Sequence, residues 1–303
     1  MVAALGLADH LVGISHECDF PPAIRNTPVM IRAMINQEQM ASPDIDRAVT
    51  RAASEHQSLY TLDDAMFSHA EPDLVITQDL CHVCAITPSQ LDRAIDSLPR
   101  PPRVLTLNAA SLEEVFIDIE QIGEATNKIS ASRTLTSGLR TRLQAVRKQV
   151  AFDQTLPTVV CVEWLDPLYA AGHWIPEMAS WAGGRHLLGK TGAPSERITW
   201  EQLVAAAPDV LIVMPCGFSI ERTVREMNRL TAHPDWHRLP AVQQGRVFAV
   251  DSGAYFSRPG PRLVDGTEIL AALCHPSRFG QTTPAGARRI VNEPVISQTD
   301  TDR

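Results

Sequence analysis

The chain has 303 residues, 44% hydrophobic and 20% charged, with a formal net charge of -8. That length can bury one large core or two modest ones, and two lobes are the better expectation. The acidic balance and the lack of any Lys/Arg run exclude a phosphate-backbone partner, so no nucleic acid is expected, and no run reaches the roughly eighteen apolar residues of a transmembrane segment.

The opening residues Met1-Val2-Ala3-Ala4-Leu5-Gly6 carry no basic region and no sustained apolar region, so no secretory signal is read in them. Six cysteines then read as thiols or metal ligands in a reducing compartment rather than as a disulfide framework. The expected address is cytoplasmic, or periplasmic if sequence ahead of Met1 is missing.

In chain order, the first segment, to about Ser15, reads as a short helix, a Gly/Asp break and a strand at Leu11-Val12-Gly13-Ile14, and the loop His16-Glu17-Cys18-Asp19-Phe20-Pro21-Pro22 comes directly after it. Ser42-Pro43 supplies an N-cap and a proline in the first turn, opening a helix toward Glu55. Pro72 to Thr77 reads as a strand and runs into Gln78-Asp79-Leu80-Cys81-His82-Val83-Cys84. Thr87-Pro88-Ser89-Gln90 closes that loop as a capping box. After the strand Val104 to Leu107, a second capping box at Ser111-Leu112-Glu113-Glu114 starts a stretch with helical spacing and no proline between Pro102 and Pro157. It is expected to be a helical spine.

The second half repeats the first in outline. Pro72-Asp73-Leu74-Val75-Ile76 is echoed by Pro208-Asp209-Val210-Leu211-Ile212, His10-Leu11-Val12-Gly13 by His186-Leu187-Leu188-Gly189, and Arg103-Val104 by Arg246-Val247. The expected organisation is an N-terminal α/β lobe over 1–110, a linking helical spine over 111–152, a C-terminal α/β lobe over 153–275 and a disordered tail over 276–303. In the second copy, the strand Thr158 to Val162 and its loop precede the helix ahead of His186. The first copy begins at that helix, so its opening strand is expected to be missing from the chain.

Five loops could carry chemistry. Glu163-Trp164-Leu165-Asp166-Pro167-Leu168-Tyr169-Ala170-Ala171-Gly172-His173-Trp174 follows an apolar strand and brings stacking faces and one imidazole to the carboxyl end of a sheet, where ligands bind in α/β folds. Glu163, Trp164, Tyr169, His173 and Trp174 are therefore candidate ligand contacts, His173 as an axial or polar contact to a metal complex. Trp164, at a strand end, reads equally as core. In the second lobe, Phe218 beside Cys216 and Tyr255 with Arg258 occupy corresponding loops; Arg258 suits a ligand carboxylate or phosphate, a helix cap or a bridge between lobes. Cys81-x-x-Cys84 suits zinc, another soft metal or redox chemistry, but without a second such pair a complete set would need His16, Cys18, His82 or Cys216. The His16-Cys18 segment reads equally as a turn with a buried cysteine. Cys161 and Cys274 read as core. No dinucleotide, phosphate-loop or serine-hydrolase motif occurs.

The runs GISHECDFPP at 13–22, PDLVITQDLCHVCA at 72–85, VEWLDPLYAAGHWIPEM at 162–178, PDVLIVMPCGFSIERT at 208–223 and DSGAYFSRPGPRLVDGTEIL at 251–270 resemble the cobalamin-binding-protein group of the vitamin B12 and iron-siderophore periplasmic-binding superfamily, in its signal-less members. The resemblance implies two Rossmann-like lobes with parallel sheets joined by one long helix, the class III substrate-binding protein fold, with little hinge motion. It also implies a binding protein rather than an enzyme, a corrinoid such as cobalamin or a related metal chelate in the cleft, and an ABC transporter permease as a possible partner. Members usually begin with a strand and a Ser-Ala-Thr-Glu loop, in keeping with the missing strand read from the repeat. The alternative is a cytoplasmic metalloprotein or redox enzyme with zinc, iron or an iron–sulfur cluster on His16, Cys18, Cys81, Cys84 and Cys216.

Overall fold

The structure, a computed structural model, describes residues 1–55, 57–78, 86–151 and 155–290. Cys81 and Cys84 therefore lie outside the described residues.

The first lobe holds β1 (Ile14–Ser15), β2 (Val29–Ala33), α1 (Ser42–Ser54), β3 (Tyr60–Leu62), α2 (Asp64–Ala70), β4 (Leu74–Gln78), α3 (Pro88–Asp96) and β5 (Arg103–Leu107). Its strands form two small sheets, β1-β2-β3 and the parallel pair β4-β5. The capping box expected at Thr87 is present, with Pro88 in the first turn of α3. The core here is modest: Met30, Phe67, Ile86, Leu91 and Ala94. The strand expected at 11–14 shrinks to Ile14–Ser15, because Val12 is 47% exposed and Gly13 lies against Met30 where no side chain would fit.

Two helices follow, α4 (Leu112–Ala125) and α5 (Ile129–Val150), rather than one unbroken spine. The break comes at Thr126-Asn127-Lys128, where Asn127 takes the left-handed conformation (φ 57°) that asparagine tolerates better than most residues. The helices turn back on each other. Arg140 of α5 pairs with Glu113 and Glu120 of α4, and a Cβ on Gly123 would sit 2.1 Å from Ser132 Oγ. The 22 residues of α5 span about 33 Å and carry the buried stripe Leu139, Leu143, Val146 and Val150 along the second lobe.

That lobe comprises β6 (Thr158–Leu165), β7 (Leu168–Ala170), α6 (Ile175–Trp181), β8 (Arg185–His186), β9 (Glu196–Arg197), α7 (Trp200–Ala206), β10 (Val210–Val213), α8 (Ile220–Glu226), α9 (Asn228–Thr231), α10 (Pro240–Gln243), β11 (Val247–Val250), α11 (Ser252–Tyr255), α12 (Arg262–Cys274), α13 (Pro276–Phe279) and β12 (Ala287–Arg289). A seven-stranded sheet runs β12-β11-β10-β6-β7-β9, with β8 also on β6. Its centre is parallel, β6 with β10 and β10 with β11. The repeat read from the sequence holds at this level, since β4 pairs with β5 as β10 pairs with β11. Both edges are antiparallel, which the expectation of purely parallel lobes did not include.

Alternation within the central strands divides the core cleanly. Val159, Cys161, Val210 and Ile212 face α4, α5, α6 and α12, whereas Val160, Val162, Leu211 and Val213 face Leu203, Leu230 and Trp236. All eight strand residues are fully buried, the pattern of a sheet covered on both faces.

The expectation of a disordered tail from residue 276 is corrected as far as Ile290. Pro276–Phe279 is helical, and Ala287–Arg289 adds an antiparallel edge strand to β11. Ala287-Arg288-Arg289 shows no apolar alternation because an edge strand is held by backbone bonds, here reinforced by Arg288 on Glu221. Residues 291–303 lie outside the described residues.

Candidate functional site

The residues expected to form a loop after β6 form a β-hairpin instead. The strand runs on through Glu163, Trp164 and Leu165, turns at Asp166-Pro167 and returns as β7, with Trp164 opposite Tyr169. Aromatic and aliphatic residues on both sides of a tight turn favour that pairing over an open loop. The register slips between Val162 and Trp164, so Glu163 occupies a bulge, a device that re-aims side chains at the end of a sheet.

Glu163 accepts a 2.5 Å hydrogen bond from Ser195 Oγ, and Ser195 in turn accepts from the Gly172 N–H at 3.2 Å. Burial pushes the Glu163 carboxyl up from its ordinary range, against the opposing pull of its hydrogen bonds. The segment 192–195 then clamps the next two residues. The His173 N–H donates to the Ala193 carbonyl at 2.6 Å, and the Gly192 N–H donates to the His173 carbonyl at 2.9 Å. A Cβ on Gly172 would meet the Ala193 carbonyl oxygen at 2.4 Å, so only glycine admits this strap.

His173 itself sits at φ 51°, a backbone conformation that persists only where the surroundings impose it. Burial lowers its pKa, which keeps the imidazole neutral and a ring nitrogen available as an acceptor or metal ligand.

Trp174, expected as a ligand contact, is a core residue. It is 4% exposed, packs in the main cluster and donates its indole N–H to the Phe256 carbonyl at 2.7 Å. Trp164 behaves differently: it is partly exposed, edge-on to Phe218 at 5.5 Å, and its buried Nε1 has no partner among the described residues. Phe218 lies on its other side under the guanidinium of Arg222, 4.7 Å away. Cys216 comes beside Glu163, donating its backbone N–H to the Glu163 carbonyl at 3.1 Å.

Arg222 reaches across to the first lobe, where it donates to the carbonyls of Glu38 and Met40. The Trp164–Phe218 pair thus lies at the junction of the lobes. Glu226, one turn further on α8, accepts from Ser42 N at 2.9 Å and from Ser42 Oγ at 2.5 Å, and it pairs with Arg222 and Arg229. Ser42 was expected to cap its own helix. The cap of α1 instead comes from the other lobe, a carboxylate placed on a buried helix N-terminus.

A second set of contacts crosses the cleft at the 251–262 loop. Arg258 grips Asp19 through both terminal nitrogens, at 3.0 and 3.2 Å, and also donates to the Glu17 carbonyl. Of its three sequence readings, the bridge between lobes is the one realised. Tyr255 stacks against the Arg262 guanidinium at 4.5 Å, with Phe20 of the first lobe 4.4 Å from the same group.

The metal-ligand reading gains no geometry from its described members. His16 is tied to the Ile31 carbonyl at 3.2 Å and to Glu17 at 3.2 Å, and Cys18 contacts Ser15 Oγ at 3.5 Å. Cys18 is exposed rather than buried in its turn, as Cys216 also is. Among the described residues, no three His, Cys, Asp or Glu side chains gather as a metal site. Sequence reasoning missed Ser195, Arg222, Glu226 and Arg262, all of which act through partners distant in sequence. The Gly/Pro-bearing run Lys190-Thr191-Gly192-Ala193-Pro194-Ser195 marks a loop around Ser195 but no partner for it.

Two α/β lobes joined by a helical connection define the class III periplasmic-binding fold of solute-binding proteins. Residues 1–254 match the periplasmic binding protein family, and the chain belongs to it. It is 23% identical over 268 residues to the vitamin B12-binding protein of Vibrio cholerae, covering 88% of this chain and 81% of that one. It is 22% identical over 291 residues to the uncharacterized ABC transporter substrate-binding lipoprotein YvrC of Bacillus subtilis, covering 91% and 76%. Among solved structures, a periplasmic heme-binding protein from Pseudomonas aeruginosa superposes with a TM-score of 0.70 at 21% identity, over 96% of this chain and 95% of that one. The family is one of binding proteins and not enzymes, which removes the redox-enzyme alternative. The cytoplasmic address is corrected too, because these relatives are lipoproteins or periplasmic proteins and the family works outside the cytoplasm. The cytoplasmic reading rested on the opening residues and on cysteine usage, and neither fixes a compartment by itself. No described helix is long and apolar enough to cross a membrane.

Proposed function

We propose that the cleft holds a flat, metal-centred macrocycle of the corrinoid kind, cobalamin or a close relative, for delivery to an ABC transporter permease. The observation that carries this reading is the partly exposed aromatic pair Trp164 and Tyr169, opposite each other across the hairpin, with Phe218 buried edge-on to Trp164. Broad π-faces take a macrocycle ring with little loss of side-chain freedom. His173, held neutral on a clamped backbone, is the group here suited to touch the metal. The likeness to a B12-binding protein and to a heme-binding protein supports a metal macrocycle in general.

Titration of the full chain with cobalamin, followed by visible absorbance and tryptophan fluorescence, tests this directly, with haemin run in parallel. Saturable one-to-one binding of cobalamin, tighter than that of haemin, is expected. Saturable binding of haemin alone would replace the corrinoid with haem, and binding of neither would end the macrocycle reading.

A further inference from the structure

We propose that the first lobe has an open strand position between β4 and β1, and that its occupant is a parallel strand of β-branched apolar residues leading into the helical turn at Val2–Leu5. The position is independent of which ligand the cleft takes.

The second lobe shows the complete arrangement. There β6 lies between β10 and β8, parallel to both, and β6, α6 and β8 make one strand–helix–strand unit. In the first lobe β4 pairs with β5 as β10 pairs with β11, and β1 follows the helical turns at Val2–Leu5 and Ala8–His10 as β8 follows α6. The counterpart of β6 has no representative. Among the described residues no strand joins β4 to β1, and the lobe's strands fall into two separate sheets. One parallel strand between them would make a single sheet, with β5-β4 on one side of it and β1-β2-β3 on the other.

The residues bordering this position lack the burial of their counterparts. Leu74–Gln78 is only half-buried along its whole length, whereas Val210–Val213 is fully buried. Leu187 donates its N–H to the Val159 carbonyl of β6 at 2.8 Å. The corresponding Leu11 N–H turns back onto the Ala8 carbonyl at 3.2 Å, and Val12 beside it is 47% exposed. An apolar strand with an unpaired edge is a template for another strand. Ile76 packs toward the main core cluster and Val75 toward the first lobe's own cluster, so the occupant must be apolar on both faces, as β6 is. Met1 and Val2 pack against the main cluster, and burial lowers the pKa of the Met1 α-amino group. A charged terminus is costly there and an ordinary peptide link is not.

The test adds to the full chain an acetylated peptide of residues 157–163, Pro-Thr-Val-Val-Cys-Val-Glu, with lysines appended for solubility, and follows binding and amide hydrogen exchange. A saturable one-to-one complex is expected, with exchange slowed about tenfold or more at 74–78 and 11–13 and unchanged at 210–213. The peptide carrying Val160→Pro, which loses a ladder N–H, should not bind. The same segment joined ahead of Met1 through a Gly/Ser linker acts at an effective concentration on the order of millimolar, and should raise the urea midpoint of the chain. No protection at 74–78 from either form, or equal protection by the proline peptide, would overturn the proposal. So would protection at 74–78 that grows with protein concentration in the absence of peptide, because the occupant would then be a second copy of the chain.

Discussion

At the scale of single residues, the cleft combines a buried acid, a neutral imidazole and an orphaned indole within one stretch of chain. Residue types made part of this legible: Glu163, Trp164 and His173 stand out because such side chains are rare in an ordinary connection. Trp174 had the same signal and a different fate, since its indole N–H found the Phe256 carbonyl from a loop some eighty residues away in sequence, which no local pattern encodes. Glu163 carries a pH signature. Its folded pKa is raised by burial, so it contributes stability that is full below the ordinary glutamate value and is lost as pH rises through the folded value. Glu163→Gln keeps an acceptor for Ser195 and removes this titration. Thermal melts from pH 4 to pH 8 should show the wild type losing ground to the variant as pH rises; parallel profiles would mean that the carboxyl is not held up.

At the scale of elements, periodicity located most helices and strands, and the capping boxes at Thr87 and Ser111 are present as read. Two elements escaped it. The hairpin β6–β7 was hidden because Asp166-Pro167 looks like the start of a loop, and only the pairing of Trp164 with Tyr169 shows that the strand continues. The α4–α5 turn was hidden because Thr126-Asn127-Lys128 contains neither glycine nor proline, and a left-handed asparagine does the work. The packing of α5 on the second lobe has a measurable consequence. Leu143 is 2% exposed in the main core cluster, and Leu143→Ala should cost about 2–5 kcal/mol by urea unfolding. A loss below about 1 kcal/mol would show that the helix is not the structural spine of the molecule.

At the scale of the whole molecule, the lobes meet through two polar bridges flanking an aromatic wall. Glu226 of the second lobe caps α1 of the first, and Arg258 holds Asp19. The wall is coupled to the first of these bridges through Arg222, which lies over Phe218 and donates to the carbonyls of Glu38 and Met40. Under the proposed function, a macrocycle bound at Trp164 would act on the groups that hold the lobes together. The most direct measurement is a calorimetric titration of cobalamin into wild-type and Trp164→Ala protein side by side, with circular dichroism confirming an unaltered fold. The account predicts saturable binding by the wild type and a loss of about tenfold or more in the variant. No saturable heat with the wild type, or equal affinity in both proteins, would contradict it.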